Sequence, residues 1–304
     1  MATTSLPLLK SQGQVLDSSA QAFGELRDSS GISADAAALR QRMDEDGYLF
    51  LRGILGRDKV LAARRAVLER LEAEGILDPD FDLMEGVLKE GLSMHFRPDL
   101  AQGNAELQEI LYSGPMLDFY ERFLGGPILH FNFTWFRAVL GGGTAPHLDV
   151  VYMGRGTKQL YTSWVPQGEI NLEMGGLIIL ENSHKLQWVQ DTYAKKDVDS
   201  YCSNGPLAES YASGAKAWDG SLSKRPATLR ERCGGRWLSC GRFMPGDLLV
   251  FGMKTIHASL DNPTRRLRLS SDSRYQLASE PADERWVGAN PIGHGQAGKR
   301  GRIC

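Results

Sequence analysis

Between residues 128 and 277 the chain is written as short apolar and aromatic runs, each cut by Gly, Pro, Asn or Asp. This punctuation constrains the fold more than any other feature. The runs ILHFNFTWFRAVL, HLDVVYM, LYTSWVPQG, GGLIILENS, GRWLSCGRFM, GDLLVFGM and RRLRLSSDSRYQL are too short for helices and rich in β-branched and aromatic residues, so they read as strands. The text before them has a different period. SADAAALRQRMDEDG predicts a helix capped by Ser33, and YLFLRGIL predicts a strand. In GRDKVLAARRAVLERLEAEGIL the residues Val60, Leu61, Ala63, Val67, Leu68 and Leu71 recur at helical spacing, with Gly75 as the stop. NAELQEILYSGPMLDFYERFLGG reads as two helices broken at Gly114-Pro115. Helices first and many short strands afterwards predict a mainly β protein with flanking α, a jelly roll preceded by N-terminal helices.

The expected organisation is a loose segment over 1–32, one catalytic domain over 33–280 and an irregular tail over 281–304. An aromatic-rich insertion over 185–235 has little periodicity, and segments of that length inside a domain are usually functional. With 304 residues, 42% apolar content and a net charge of −2, the chain can build a sizeable core. It carries no excess of charge for nucleic acid or a membrane surface. No stretch approaches the roughly 18 apolar residues of a membrane helix, and the N-terminus has no leader-like pattern. Cys202, Cys233, Cys240 and Cys304 form no C-x-x-C pair. They read as reduced thiols of a cytoplasmic protein.

Chemistry first shows in HLDVV. On a strand, His147 and Asp149 point to one face, so an imidazole nitrogen and a carboxylate oxygen can meet at one point. A third ligand must come from the remaining histidines: His95, His130, His184, His257 and His294. His257, at the end of the strand-like PGDLLVFGMKTI, is best placed. Two histidines and a carboxylate on one face make the facial triad of non-haem Fe(II) oxygenases, which leaves positions free for co-substrate and O2. Eleven residues after His257 stands Arg268, two residues from Ser270 on the same strand face. A guanidinium with a neighbouring hydroxyl suits the distal carboxylate of 2-oxoglutarate. GHGQAGKR lacks the final Ser/Thr of a phosphate loop and its strand–helix context. The glycines Gly141 to Gly143 read as a hairpin loop leading to the metal strand.

On these residues the chain resembles the phytanoyl-CoA dioxygenase family, from DEDGYLFLRGIL through the H-x-D and the distal histidine to RLSSDSRYQ. GGLIILENSHK is similar to the family's segment ending Leu-Pro-Gly-Ser-His-Lys, with Glu181-Asn182 in place of Pro-Gly. The resemblance implies a double-stranded β-helix (cupin-like), with His147, Asp149 and His257 holding Fe(II) and Arg268 anchoring 2-oxoglutarate. It further implies Ser259, Trp164, Arg137 and Ser270 around the co-substrate. His184 and Trp188 are candidate substrate contacts; the other reading of His184 is that it holds a turn. His130 reads as a core histidine, and His95 and His294 as exposed. The expected activity is oxidation of a C–H bond in a small, partly apolar molecule by Fe(II), 2-oxoglutarate and O2. The alternatives are an acyl-CoA hydroxylase and a cupin-like metal protein or isomerase that uses no O2.

Overall fold

The computed structural model describes residues 7–304. Two sheets face one another. The larger runs in the order Tyr48–Leu51, Leu248–Gly252, Tyr161–Pro166, Arg268–Leu277, Trp135–Leu140, Met94–Phe96, and Ile128–His130 pairs the far end of Arg268–Leu277. Every pair in it is antiparallel. The smaller runs His257–Ser259, Leu177–Leu180, Trp237–Ser239, Phe23–Glu25. From Leu248 to Leu277 the strands alternate between the sheets, Leu248–Gly252 in the large one, His257–Ser259 in the small one and Arg268–Leu277 in the large one, the winding of a double-stranded β-helix.

The strands obey period two because both faces of the large sheet are covered. Phe136, Ala138, Val165, Val250, Leu269 and Tyr275 face outward against the helices. Phe50, Trp164, Leu249 and Phe251 face inward and pack with Leu177, Ile179 and Leu238 of the opposite sheet. The Arg268–Leu277 strand departs from this rule in chemistry but not in geometry. It is buried on both sides, and its inward positions are Arg268, Ser270, Asp272 and Arg274. Charged groups at such positions are costly unless paired, so this stripe marks where the site lies.

The helices form where caps and apolar stripes agree. Asp35, rather than Ser33, caps Ala36–Asp46 by accepting from the amides of Ala37 and Ala38, and Gly47 ends that helix at φ 77°. Arg57–Ala73 buries Val60, Ala63, Val67, Leu68 and Leu71. Ala105–Tyr112 and Gly114–Leu124 are separate helices, because Pro115 can start a helix but cannot continue one.

Four expectations are corrected. Residues 7–32 are not loose: Leu9, Leu16 and Phe23 are buried, and Phe23–Glu25 adds a parallel strand to the small sheet. VVYM is not a strand but one helical turn, Val150–Met153. Its β-branched residues are overridden by burial of Val150, Val151 and Met153 and by the Asp149 carbonyl, which accepts from the amides of Tyr152 and Met153. Cys202 and Cys304 form a disulfide rather than two thiols; connectivity across 102 residues leaves no local trace in a sequence. The tail is irregular over 281–295 but not throughout. Arg300–Arg302 pairs with Ser200–Cys202, and the fully buried Arg285 binds Asp283, Asp199 and Asp197. The insertion supplies Val189, Tyr193 and Leu229 to a cluster on the outer side of the small sheet.

Candidate metal centre

The two histidines meet through backbone pairing. His147 and His257 exchange both amide–carbonyl hydrogen bonds, each 3.1 Å, so their side chains emerge on one face with ring centroids 4.2 Å apart. Gly143, in the triple-glycine loop, lies against the same strand: a Cβ there would sit 2.3 Å from the Ser259 carbonyl oxygen. Asp149 reaches the pair from the first position of the helical turn, with helical backbone angles, and not from a strand face. Its Oδ1 lies 3.7 Å from His147 Nε2 and 3.6 Å from His257 Nε2. One ligand atom from each of the three lies within 4.8 Å of the others.

The surroundings fix which atoms are free. His147 Nδ1 lies 2.8 Å from the Ala145 carbonyl and His257 Nδ1 lies 3.1 Å from the Thr255 carbonyl. A carbonyl only accepts, so both Nδ1 atoms carry the proton and both Nε2 lone pairs face the common point. Burial, then the neighbouring His257, holds the His147 imidazole down at about 3. Burial likewise lowers His257, so both rings are neutral at neutral pH. Burial alone would raise Asp149. Arg274, then the two histidines, and the Thr162 hydroxyl outweigh it and keep the carboxyl well below the usual range.

Asp149 Oδ2 accepts from the Thr162 hydroxyl and, at 3.1 Å, from Arg274 Nη2. Thr162 and Arg274 are cross-strand partners. One oxygen is therefore committed to the protein and the other left for a cation. Neither Thr162 nor Arg274 was singled out from the sequence; the available signal was that Arg274 continues the alternate positions Arg268, Ser270, Asp272. Thr162→Val removes one of the two donors without changing shape. It is expected to weaken Fe(II) or Mn(II) affinity by about 10- to 100-fold, as read by metal titration. Unchanged affinity would show that Arg274 alone sets the carboxylate.

Beside the triad lies a small cavity whose walls include His147, His257, Trp164, Ser259, Thr144 and Arg268. Arg268 is 1% exposed. Its Nη1 donates to Ser270 Oγ at 2.8 Å, while Nε and Nη2 find no partner among the described residues. Burial, then Arg137, draws this guanidinium down to about 9. Two unpaired, buried, planar donors fit one carboxylate. Ser259 Oγ accepts from the Thr144 amide at 2.7 Å. Arg137 binds Asp272 at 3.1 Å and borders this cavity.

A second hollow adjoins the first, sharing Arg137, Thr144, His147 and Arg274 with it and bordered by Asp149 as well. Phe96, Trp135, Tyr152, Met153 and His294 border it. His294 is thus half-buried at the site rather than exposed, its Nδ1 2.8 Å from Asp199. His184 and Trp188 border neither cavity. His184 Nε2–H donates to the Asp44 carbonyl at 3.1 Å, holding the turn at Gly47. Trp188 lies under the Arg232 guanidinium, 4.1 Å from its ring centroid. His95 is exposed on an edge strand, and His130 stacks on Tyr112.

The sequence pattern described as Phytanoyl-CoA dioxygenase (PhyH) matches residues 43–270. The chain is 27% identical over 257 residues to 1-deoxypentalenic acid 11-beta-hydroxylase of Streptomyces exfoliatus, covering 81% of this chain and 82% of that protein. Its fold is similar to that of EctD from S. alaskensis with bound Fe, with a TM-score of 0.54, 18% identity and coverage of 97% and 96%. It is also similar to the epimerase SnoN in complex with Fe3+, alpha ketoglutarate and nogalamycin RO, with a TM-score of 0.51, 20% identity and coverage of 86% and 95%. Three facing ligand atoms, an adjoining cavity with an unsatisfied arginine, and a pattern that spans three quarters of the chain lead to one assignment: the chain belongs to the phytanoyl-CoA dioxygenase family of Fe(II)- and 2-oxoglutarate-dependent oxygenases.

Proposed function

We propose that this enzyme hydroxylates, or otherwise oxidises, a C–H bond of a small, partly apolar molecule of the secondary-metabolite kind. The observation that carries the reading is the His147, Asp149 and His257 cluster together with the unpaired donors of Arg268, whose side chain borders one cavity with both histidines. His147 Nε2, His257 Nε2 and Asp149 Oδ1 would hold Fe(II). Iron held there would supply the activation of O2, and 2-oxoglutarate would give two electrons to O2 as it is oxidised to succinate and CO2. The rest is done by the chain. Arg268, with Ser270 behind it, takes the distal carboxylate of 2-oxoglutarate and sets its reach toward the triad. Trp164 and Phe251 wall the cavity and keep bulk water out. Phe96, Trp135 and Tyr152 offer apolar faces on which a substrate ring or chain can lie.

An acyl-CoA ester would need free cations for its phosphates. Lys195 and Lys224 are engaged with Asp191 and Asp219, and Lys196 lies over the Trp218 ring, which favours a smaller substrate. A metal-binding isomerase would have no use for the open donors of Arg268. Anaerobic Fe(II) and 2-oxoglutarate should together give the weak visible absorption expected of this family near ~500 nm, a charge-transfer signature of a metal–ligand pair. Its absence, or its survival in His147→Ala, would overturn the oxygenase reading. Succinate release against a panel of terpenoid and polyketide compounds then narrows the substrate.

A further inference from the structure

The oxygenase reading accounts for one end of the second hollow, the end bordered by His147 and Asp149. The C-terminal tail, beyond the part of the chain that matches the family pattern, which ends at residue 270, reaches the same hollow through one residue. His294 comes from this tail and borders the same hollow as the triad residues. It does not hang there loosely. Asp199, 1% exposed, holds His294 Nδ1 at 2.8 Å and is itself held by Arg285 at 2.6 Å and Lys299 at 3.2 Å. The Trp286 ring packs edge-on against the imidazole, with centroids 4.7 Å apart. Tyr152 touches His294 on one side and His147 on the other, at ring separations of 5.8 and 5.5 Å. Tyr152 is fixed in turn by a hydrogen bond of 2.6 Å to the Asp219 carbonyl in the insertion. Beyond this, Arg300–Arg302 is laid along Ser200–Cys202 and closed by the Cys202–Cys304 bond.

An imidazole clamped on one nitrogen by a buried carboxylate is a fixed polar arm. Because Asp199 accepts from Nδ1–H, the ring's other nitrogen is set in place, and His294 Nε2 has no protein partner among the described residues. The hollow has apolar walls, Phe96, Trp135, Tyr152 and Met153, and polar ones, Arg137, Thr144, Arg274 and the two triad residues; His294 is the polar group that the tail adds, and fixed polar groups beside apolar walls set orientation more than they add affinity.

We propose that His294 is a substrate-binding residue: the tail adds it to the wall of the substrate chamber, and His294 Nε2 hydrogen-bonds a hydroxyl or carbonyl oxygen of the substrate, setting which C–H bond faces the triad. Asp199 is the positioning residue behind it. This rests on the oxygenase reading, and the test separates the two. Fe(II), 2-oxoglutarate and O2 are supplied without substrate, and oxygen incorporation is mapped by peptide mass spectrometry. In such uncoupled turnover one atom of O2 enters succinate and the other replaces the hydrogen of a nearby protein C–H as C–OH, with release of CO2. Groups that wall the chamber are the ones exposed to it. Oxygen is expected on His294 and Tyr152 and not on His130, which borders neither cavity. Oxidation confined to Phe96, Trp135 and Tyr152, with His294 untouched, would overturn the inference while leaving the oxygenase reading intact. Absence of the Fe(II)–2-oxoglutarate absorption in the same preparation, recorded before O2 is admitted, would remove that reading, and the inference with it. On a substrate found by succinate release, His294→Ala is expected to raise KM about tenfold, the loss of one hydrogen bond, with kcat changed less. His294→Gln, which keeps a donor and acceptor there, should recover part of it. An unchanged KM in His294→Ala would also overturn the proposal.

Discussion

Asp149→Ala is expected to abolish Fe(II)-dependent consumption of 2-oxoglutarate, by more than the roughly 100-fold that a supporting residue contributes. The substitution removes the one anionic ligand atom from a point otherwise faced by two neutral imidazoles. It does a second thing that a merely catalytic residue would not do. Arg274 is buried, and its hydrogen-bond acceptor among the described residues is Asp149 Oδ2; its remaining support is the face of Trp135, 4.0 Å away. Stranding that guanidinium is expected to cost the apo-protein about 3–5 kcal/mol of stability. Asp149→Ala with Arg274→Met should then recover much of the stability and none of the turnover. Urea denaturation of the two variants, alongside succinate formation, checks both halves. If the double variant is no more stable than the single one, Arg274 is not balanced by Asp149 as described. If Asp149→Ala retains a tenth of the turnover, Asp149 is not a metal ligand.

Arg268→Met is expected to move function and stability in opposite directions. Arg268 is held in the protein by one hydrogen bond, to Ser270, with two buried donors left open. That arrangement costs free energy until a carboxylate arrives. A methionine of similar length removes the cost, so the apo-protein should melt higher than the wild type. The same change removes a two-pronged anchor. Half-saturation by 2-oxoglutarate should rise about 10- to 100-fold, in line with the 1.5–3 kcal/mol of a charged hydrogen bond. Arg268→Lys restores the charge but not the fork, and should recover little of the affinity. Saturating metal with 2-oxoglutarate should stabilise the wild type by about 2.7 kcal/mol at a hundred times Kd, and this gain should be lost in Arg268→Met. A melting temperature for apo Arg268→Met well below wild type would show that Arg268 is structural rather than waiting for a ligand.

The legible part of this molecule was the part written in local chemistry. Alternating strands, two helices split by Gly114-Pro115 and the spacing of His257 and Arg268 are properties of short stretches, and the fold has them where the sequence places them. What could not be read depends on partners far along the chain. HLDVV supports a strand by composition, but Asp149 turns helical because Val150, Val151 and Met153 are buried and Thr162 and Arg274 pull its carboxylate inward. The consequence for the site is small, since His147 and His257 are aligned by their own backbone pairing. The tail is the larger miss. GHGQAGKR has no apolar period, and what orders it is Arg285 among three aspartates and a disulfide back to Cys202. Charge pairs of that kind carry no periodic mark. His294, the histidine with the least sequence context, is consequently the one that was misplaced.

The inward stripe of Arg268, Ser270, Asp272 and Arg274 also has a consequence for the order of assembly. Around the triad stand three guanidinium groups, of Arg137, Arg268 and Arg274, against the carboxylates of Asp149 and Asp272, with both imidazoles neutral. The protein by itself is thus one positive charge in excess in a buried space. A divalent cation entering alone adds to that excess, and a dianion entering alone reverses it. Entering together, they leave it as it was. Metal and 2-oxoglutarate should therefore bind cooperatively, each tightening the other by the same factor, about 5- to 150-fold for a coupling of ordinary size. Mn(II) titrations with and without 2-oxoglutarate would measure that factor directly. Equal affinities would mean that the charges around the site are screened from one another.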